Sequence, residues 1–306
     1  CIRDRLEGSL VVGCSSFHMG ELADCRQHFE QVLEDYRADD HQHHAYVFGQ
    51  DPLAAGGAYL SSALWCHGEA AHAFTIAEKA IEQARAIEHP YSLALALIFV
   101  ARVYQMNGDP EAVAKLAGEA LLVSQEFGFP TWQGFGLILK GWADASAGDV
   151  EGGLAAIEQG LDLCSLIQLG VSRAYFLAMA AEVKNMAGDA DGALAWLDEA
   201  QQEIVTHGSQ LEEPEIYRVR AQIEHERGNL AEARQWIDKA VEVAGEQCAP
   251  AWQIRCHSER LAMSQPGDES GDRGHLERLV NALPADANWP DLARAREMLE
   301  SVPESR

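Results

Sequence analysis

Apolar residues recur along this chain at intervals of three and four, in blocks cut by short polar breaks, which is the periodicity of helices with one apolar face. The breaks themselves repeat. Met19-Gly20-Glu21, His67-Gly68-Glu69, Asn107-Gly108-Asp109, Ala147-Gly148-Asp149, Ala187-Gly188-Asp189 and Arg227-Gly228-Asn229 are versions of one string, a glycine followed by an acid or its amide. Their glycines are spaced by 48, 40, 40, 40 and 40 residues. Equal intervals with matching surroundings mark an internal repeat, and a repeat of this length sets the fold before any local reading does.

Other positions hold the same phase. Five residues after the glycines stand Cys25, Ala73, Val113, Gly153, Ala193 and Ala233; twelve after stand Val32, Ala80, Ala120, Gly160, Ala200 and Ala240. Seven before stand Gly13, Ser61, Ala101, Gly141, Ala181 and Ala221, and nine after stand Phe29, Ala77, Ala117, Ile157, Leu197 and Ile237. Small residues at fixed offsets have a physical reason, because antiparallel helices approach closely only where the facing side chains are small. The glycine frees the backbone to end a first helix, and the residue after it caps a second. Pro90, Pro130 and Pro250 mark the longer connection in the same phase, with Gly170 at the equivalent point between them.

Each period therefore predicts helix, tight turn, helix and connection. Such a pair cannot bury its apolar face alone, so successive pairs must stack. The predicted fold is all-α, a right-handed superhelical solenoid of antiparallel helix pairs of the tetratricopeptide (TPR) type, with a period of about 40 residues and six to seven repeats. The repeats span about 6–37, 52–88, 91–128, 131–169, 171–207, 214–247 and 251–283, followed by a capping helix at 290–301, all in one domain over 1–306. Two stretches, Ala38–His44 and Gln265–Gly274, are expected as polar loops. Gly152, Gly153 and Gly160 fall inside the second helix of the fourth repeat, where each costs up to about 1 kcal/mol relative to Ala. That repeat is expected to be a flexing point.

Composition narrows the function more than the fold. With 47% apolar and 23% charged residues the chain can bury a large core. Its 23 basic and 48 acidic residues give a net charge of −25, which repels phosphate backbones and anionic lipid, so neither nucleic acid nor a membrane is an expected partner. Leu93–Ala101, the longest apolar run, is half of what a bilayer span needs, and no basic-then-apolar leader is visible. Seven scattered cysteines without a CxxC pair read as reduced thiols of a cytoplasmic protein. The abrupt opening on Cys1 instead of Met points to a segment of a longer protein.

Candidate chemistry is sparse. No Walker A string, GxSxG, HExxH or kinase-like set occurs, so a non-catalytic role without cofactor or metal is expected. His41, His43 and His44 lie beside Asp39 and Asp40, but without a fixed turn or a cysteine they offer only adventitious metal binding. Trp196 and Trp236, eight residues after their glycines, and Trp132 and Trp252, two residues after in-phase prolines, are expected to pack between repeats. The first helix of each pair lines the concave face of such a solenoid. Offsets of −13, −10, −6, −3 and −2 from the glycines place Trp65, Leu95, Arg102, Gln105, Phe135, Trp142, Tyr175, Glu182, Asn185, Arg218, Gln222 and His225 there. Mixed aromatic and polar groups suit a peptide or protein partner, with the aromatics as anchors. A small-molecule inducer held near Arg102 and Arg218 is the alternative, and self-association through the convex face is a third reading.

Particular strings add a resemblance. Phe48-Gly-Gln-Asp-Pro52, His89-Pro-Tyr-Ser-Leu-Ala94, Phe129-Pro-Thr-Trp132, Lys140-Gly-Trp142, Ser172-Arg-Ala-Tyr-Phe-Leu-Ala178 and Glu215-Ile-Tyr-Arg-Val-Arg220 follow one another in that order. Together they resemble the C-terminal tetratricopeptide region of bacterial class III adenylate/guanylate cyclase–ATPase fusion proteins, over most of residues 10 to 262. In that family a cyclase domain and a signal-transduction P-loop NTPase domain precede the repeats. Their catalytic motifs are absent here, so the resemblance implies a cytoplasmic sensor or regulatory arm, whose partners include the cyclase and NTPase domains of the same chain.

Overall fold

A computed structural model describes residues 2–41, 43–166, 172–264 and 270–300 of the chain, and every regular element among them is helical. The first pair is α1 (Ile2–Met19) and α2 (Leu22–Asp35), followed by two short turns, α3 (Ala38–His41) and α4 (His44–Phe48). Then come α5 (Pro52–Cys66) with α6 (Ala70–Ala86), α7 (Pro90–Met106) with α8 (Pro110–Phe127), and α9 (Pro130–Ser146) with α10 (Val150–Leu166). The C-terminal half continues with α11 (Arg173–Met186) and α12 (Ala190–His207), α13 (Glu213–Glu226) and α14 (Leu230–Glu246), and α15 (Pro250–Ala262) and α16 (Ser270–Ala282). The last helix is α17 (Pro290–Glu300). Gly170 and residue 301 at the end of the expected cap lie outside the described residues.

The turn string works as its chemistry dictates. All six repeat glycines have positive φ, from +73° at Gly108 to +108° at Gly148. At Gly108 the following amide, Asp109 N, reaches back to the Tyr104 carbonyl at 3.0 Å and closes the end of α7. The carboxylates of Asp109, Asp149 and Asp189 then accept the amides of Ala112, Gly152 and Gly192 at 2.9–3.0 Å and cap the next helix. Glu21 and Glu69 make no such cap, and Asn229 turns its side-chain amide to Glu224 at 2.6 Å. A second stop shares the 40-residue phase. Gly128 and Gly208 end α8 and α12 at φ +73° and +71°, and Glu88 and Cys248 hold the equivalent position at +52° and +50°. That conformation costs an L-residue roughly 1–2 kcal/mol.

The in-phase apolar positions are the seams between helices. Phe29, Ala77, Ala117, Ile157, Leu197 and Ile237 are all fully buried, each large one stabilising the fold by roughly 1.5–3 kcal/mol. At α9 and α10 the approach is closest. A methyl group added to Gly141 would stand 2.5 Å from the Gly153 carbonyl oxygen, and one added to Gly160 would stand 2.7 Å from that of Gly134. The fourth repeat is thus not loosened by its glycines. Gly153 and Gly160 are where two helix backbones touch, and only the missing side chains permit it.

Both expected loops also differ. Within Ala38–His44, Ala38–His41 forms α3 and His44 begins α4, with His41 and His44 buried, while residue 42 lies outside the described residues. His44 Nδ1 meets Glu7 Oε1 of α1 at 2.6 Å, and the Arg37 amide donates to His41 Nδ1 at 2.8 Å, so this polar stretch is folded against the first repeat. In the second stretch α16 already begins at Ser270, and residues 265–269 lie outside the described residues. Asp272 in its first turn is buried against Arg234 and Arg260, which draws Ser270–Gly274 into the helix.

Candidate functional site

The far end of the solenoid returns to its near end. Trp252 of α15 meets Trp65 of α5 edge-on, with ring centroids 5.3 Å apart, and Leu283 and Trp289 press on the turn at Gly68. Between α12 and α13 the Gln210 amide donates to the His18 carbonyl at 2.6 Å, and Gln247 Nε2 donates to the Gln210 carbonyl at 2.8 Å. Arg255 closes the seam from α15. Its guanidinium lies over both tryptophan rings, at 5.3 and 5.0 Å from their centroids, pairs with Asp291 at 2.7 Å and donates to the Met106 carbonyl.

Most of the expected concave lining meets inside this closed axis. Arg102 is 2% exposed and pairs with Glu212, also 2% exposed, at 2.6 Å; it donates to Ser172 Oγ at 3.2 Å and lies over the Tyr175 ring at 4.2 Å. The Tyr175 hydroxyl donates to Gln105 Oε1 at 2.7 Å. Arg218 bridges Glu182 of α11 at 2.7 Å and Glu215 of its own helix at 2.6 Å, and donates to Gln222 at 3.2 Å. Asn185 donates to Glu226 at 2.8 Å. Trp65 is buried, and its indole N–H reaches Asn107 at 3.3 Å.

The remaining lining positions are not part of this polar junction. Phe135 stacks against Phe176 with centroids 4.3 Å apart, Leu95 is in the core, Trp142 on α9 is 9% exposed, and His225 is half-buried near the end of α13. The four tryptophans read as packing residues do lie between helices. Trp132 touches Tyr91 and Phe135, and Trp196 and Trp236 lie under Lys184 and Lys239 at 4.5 and 4.2 Å. Six described cysteines are free thiols, and among the described residues no group of three acids, histidines or cysteines is placed to hold a metal.

Burial controls the electrostatics of the axis. It pushes the carboxyls of Glu182 and Glu212 above their ordinary range, against the pull of Arg218 and Arg102 respectively. Burial acts the same way on Glu215, but Arg218 and Arg255 together hold it below that range. A cavity of about 10 Å³, the room of one water, remains among Gln105, Tyr175, Glu182, Glu212, Glu215 and Arg255.

Glu212, Glu215, Arg255 and Asp291 were not among the expected site residues. Glu215 sits at offset −13 from Gly228, and the 40-residue phase continued past Gly228 to position 268 puts Arg255 at the same offset. The signal was there, but no glycine stands at 268 to anchor it.

No protein-family model matches the chain, and no curated protein matches it in sequence. Solved structures do. The Signal Transduction ATPase with Numerous Domains (STAND) protein with a tetratricopeptide repeat sensor from Pyrococcus horikoshii superposes with a TM-score of 0.55 at 10% identity, over 95% of this chain. This chain spans 43% of the length of that protein. The apo form of RapI gives a TM-score of 0.52 at 11% identity, over 89% of this chain and 99% of RapI. The fold is therefore a TPR-like all-helical solenoid. No helix among the described residues is long and apolar enough to cross a membrane.

Proposed function

We propose that this chain is a non-catalytic, cytoplasmic interaction scaffold that senses a protein or peptide along its concave axis. Joined to signalling domains such as a nucleotide cyclase and a P-loop NTPase, it would regulate them. The observation that carries the reading is the pairing of Arg102 with Glu212. It joins α7 of the third repeat to the start of α13, three repeats on, through two buried charged groups. A partner that supplies its own carboxylates and aromatic groups competes for the same arginines and rings, and shifts an equilibrium between closed and open superhelix. Attached domains then feel a change in pitch.

The closed axis leaves about 10 Å³, far below the roughly 300–1,000 Å³ of a metabolite pocket, so any occupant, peptide or small inducer, requires the superhelix to open. Small-angle scattering with calorimetry tests the proposal on partners recovered by affinity capture. Binding at the axis is expected to raise the radius of gyration and to weaken in the Trp142→Ala, Gln105→Ala double variant. A partner that binds wild type and variant equally, with no change in dimensions, overturns it.

A further inference from the structure

On the outside of the second and third repeats, aromatic rings stand unusually bare. Tyr46 and Phe48 of α4 are 68% and 54% exposed, and Phe127 at the end of α8 is 50% exposed. They border a trough of about 760 Å³ whose walls include Tyr46, Phe48, His89, Tyr91, Phe127 and Phe129. The rings are ordered. Phe127 stacks on Phe129 at 17° between planes, Tyr91 stands edge-on to Phe129 at 5.3 Å, and Tyr46 stands edge-on to His89 at 5.1 Å. A second depression of about 210 Å³ shares His89, Pro90 and Phe127 with the first and adds Glu88, so the two form one continuous trough. Monomers rarely bare such a contiguous patch without a use for it.

The polar groups of the trough are donors with an acidic rim. Ser92 Oγ accepts the Asp51 amide at 2.8 Å and so turns its own proton to His89 Nδ1, also at 2.8 Å; the Ser92 amide points at the same nitrogen at 3.3 Å. By that pattern Nδ1 is the acceptor, so the ring proton sits on Nε2 and is free to donate. Gln50 and the Tyr46 hydroxyl add further donors. Glu88 and Glu126, next in sequence to His89 and Phe127, are exposed and make no ion pair among the described residues, whereas Arg85 is held by both oxygens of Glu119 at 2.8–2.9 Å. The whole chain carries −25.

We infer that this trough is a second interaction surface, for a proline-rich segment in polyproline II form flanked by Arg or Lys. Such a segment exposes carbonyls and lacks amide donors at its prolines, and stacks its rings on aromatic faces. The trough offers aromatic faces, donors aimed at carbonyls, and no unpaired cation. Glu88 and Glu126 receive the basic flank, which the overall charge also attracts.

The test is fluorescence anisotropy of the full chain with a labelled proline-rich peptide carrying an Arg-Lys flank, and with a partner peptide in which Ser replaces each Pro. The proline peptide is expected to bind, and the serine peptide to bind at least about tenfold more weakly, a loss of about 1.4 kcal/mol. Tyr46→Ser with Phe127→Ser should abolish binding, Tyr46→Phe should weaken it far less, and Glu88→Gln with Glu126→Gln should reduce its salt dependence. All these positions are on the surface, so circular dichroism is expected to be unchanged. Equal binding of the two peptides, or binding untouched by the serine variants, overturns the inference. So does concentration-dependent self-association that Phe127→Ser abolishes, since a second copy would then be the occupant.

Discussion

Arg102 and Glu212 stand 110 positions apart in sequence and 2.6 Å apart in space, each with 2% of its side chain exposed. A pair so remote and so dry forms only when the solenoid has wound far enough for α7 to meet the start of α13. It marks the closed state as a discrete arrangement of the chain. Arg102 also borrows the faces of Tyr175, Phe99 and Phe17, at 4.2, 5.2 and 5.7 Å, so its charge is compensated from several repeats at once.

Removing one partner should therefore hurt more than removing both. Arg102→Met leaves the Glu212 carboxylate buried without its counter-ion, an arrangement that costs about 3–5 kcal/mol. Arg102→Met combined with Glu212→Leu removes both charges and should recover much of that loss. Urea unfolding of the single and double variants measures the difference. Equal stability in both would mean that the pair is not the junction described here.

The glycines of α9 and α10 give an opposite-signed pair of substitutions. Gly141→Ala gains helix propensity but drives a methyl into the Gly153 carbonyl, and overpacking of that kind costs about 1–3 kcal/mol. Gly118→Ala on α8 meets nothing within 4 Å and should stabilise by about 0.4–1 kcal/mol. Thermal melts of the two variants should move in opposite directions.

These glycines also show what a sequence can and cannot convey here. The 40-residue phase reveals the fold, because each seam position must be small or apolar whatever its neighbours are. Propensity alone misreads Gly153 and Gly160 as weak points; their partners Gly141 and Gly134 lie on another helix, and contact between them is a tertiary fact. The site divides in the same way. The offsets put Arg102, Tyr175, Glu182 and Arg218 on the inner face, which depends on the phase of one helix, and the structure brings them to the axis. They do not include Glu212, which lies in a connection, or Arg255, whose repeat has lost its glycine. No offset could reveal that the groove lining is paired across repeats, because that depends on how far the superhelix winds.

Arg255 offers a way to loosen closure without touching the central pair. Its guanidinium joins Trp65, Trp252, Asp291 and the Met106 carbonyl, so Arg255→Ala removes the polar link of this seam and leaves the Trp65–Trp252 ring contact. The radius of gyration should rise, and the amides around Trp65 and Gln210 should exchange faster, while those between α9 and α10 stay protected. Hydrogen exchange followed by mass spectrometry resolves the three regions. Uniform protection would show that the ends are held by other contacts.

The pH dependence of stability should carry the mark of two buried histidines. Burial, aided by the charge of Arg102, pushes His18 down to about 4 from an ordinary 6.5. Burial, together with Arg260, His275 and Arg278 and against the pull of Asp272, does the same to His257. Both are bases with depressed values, so the unfolded chain takes up protons first as the pH falls. Stability is then fully present above about 6.5 and is lost as the pH drops toward about 4. Glu182 and Glu212 work the other way, because burial raises their carboxyls and the folded chain takes those protons more readily. The two effects oppose each other as the pH falls, so the histidine contribution is read from the difference between wild type and a variant that lacks one of the histidines. Denaturant midpoints measured from pH 7 downward should fall more, or rise less, in wild type than in His257→Gln, which keeps a polar group near Arg260 and cannot titrate. A variant whose midpoints track wild type across that range would remove His257 from this account.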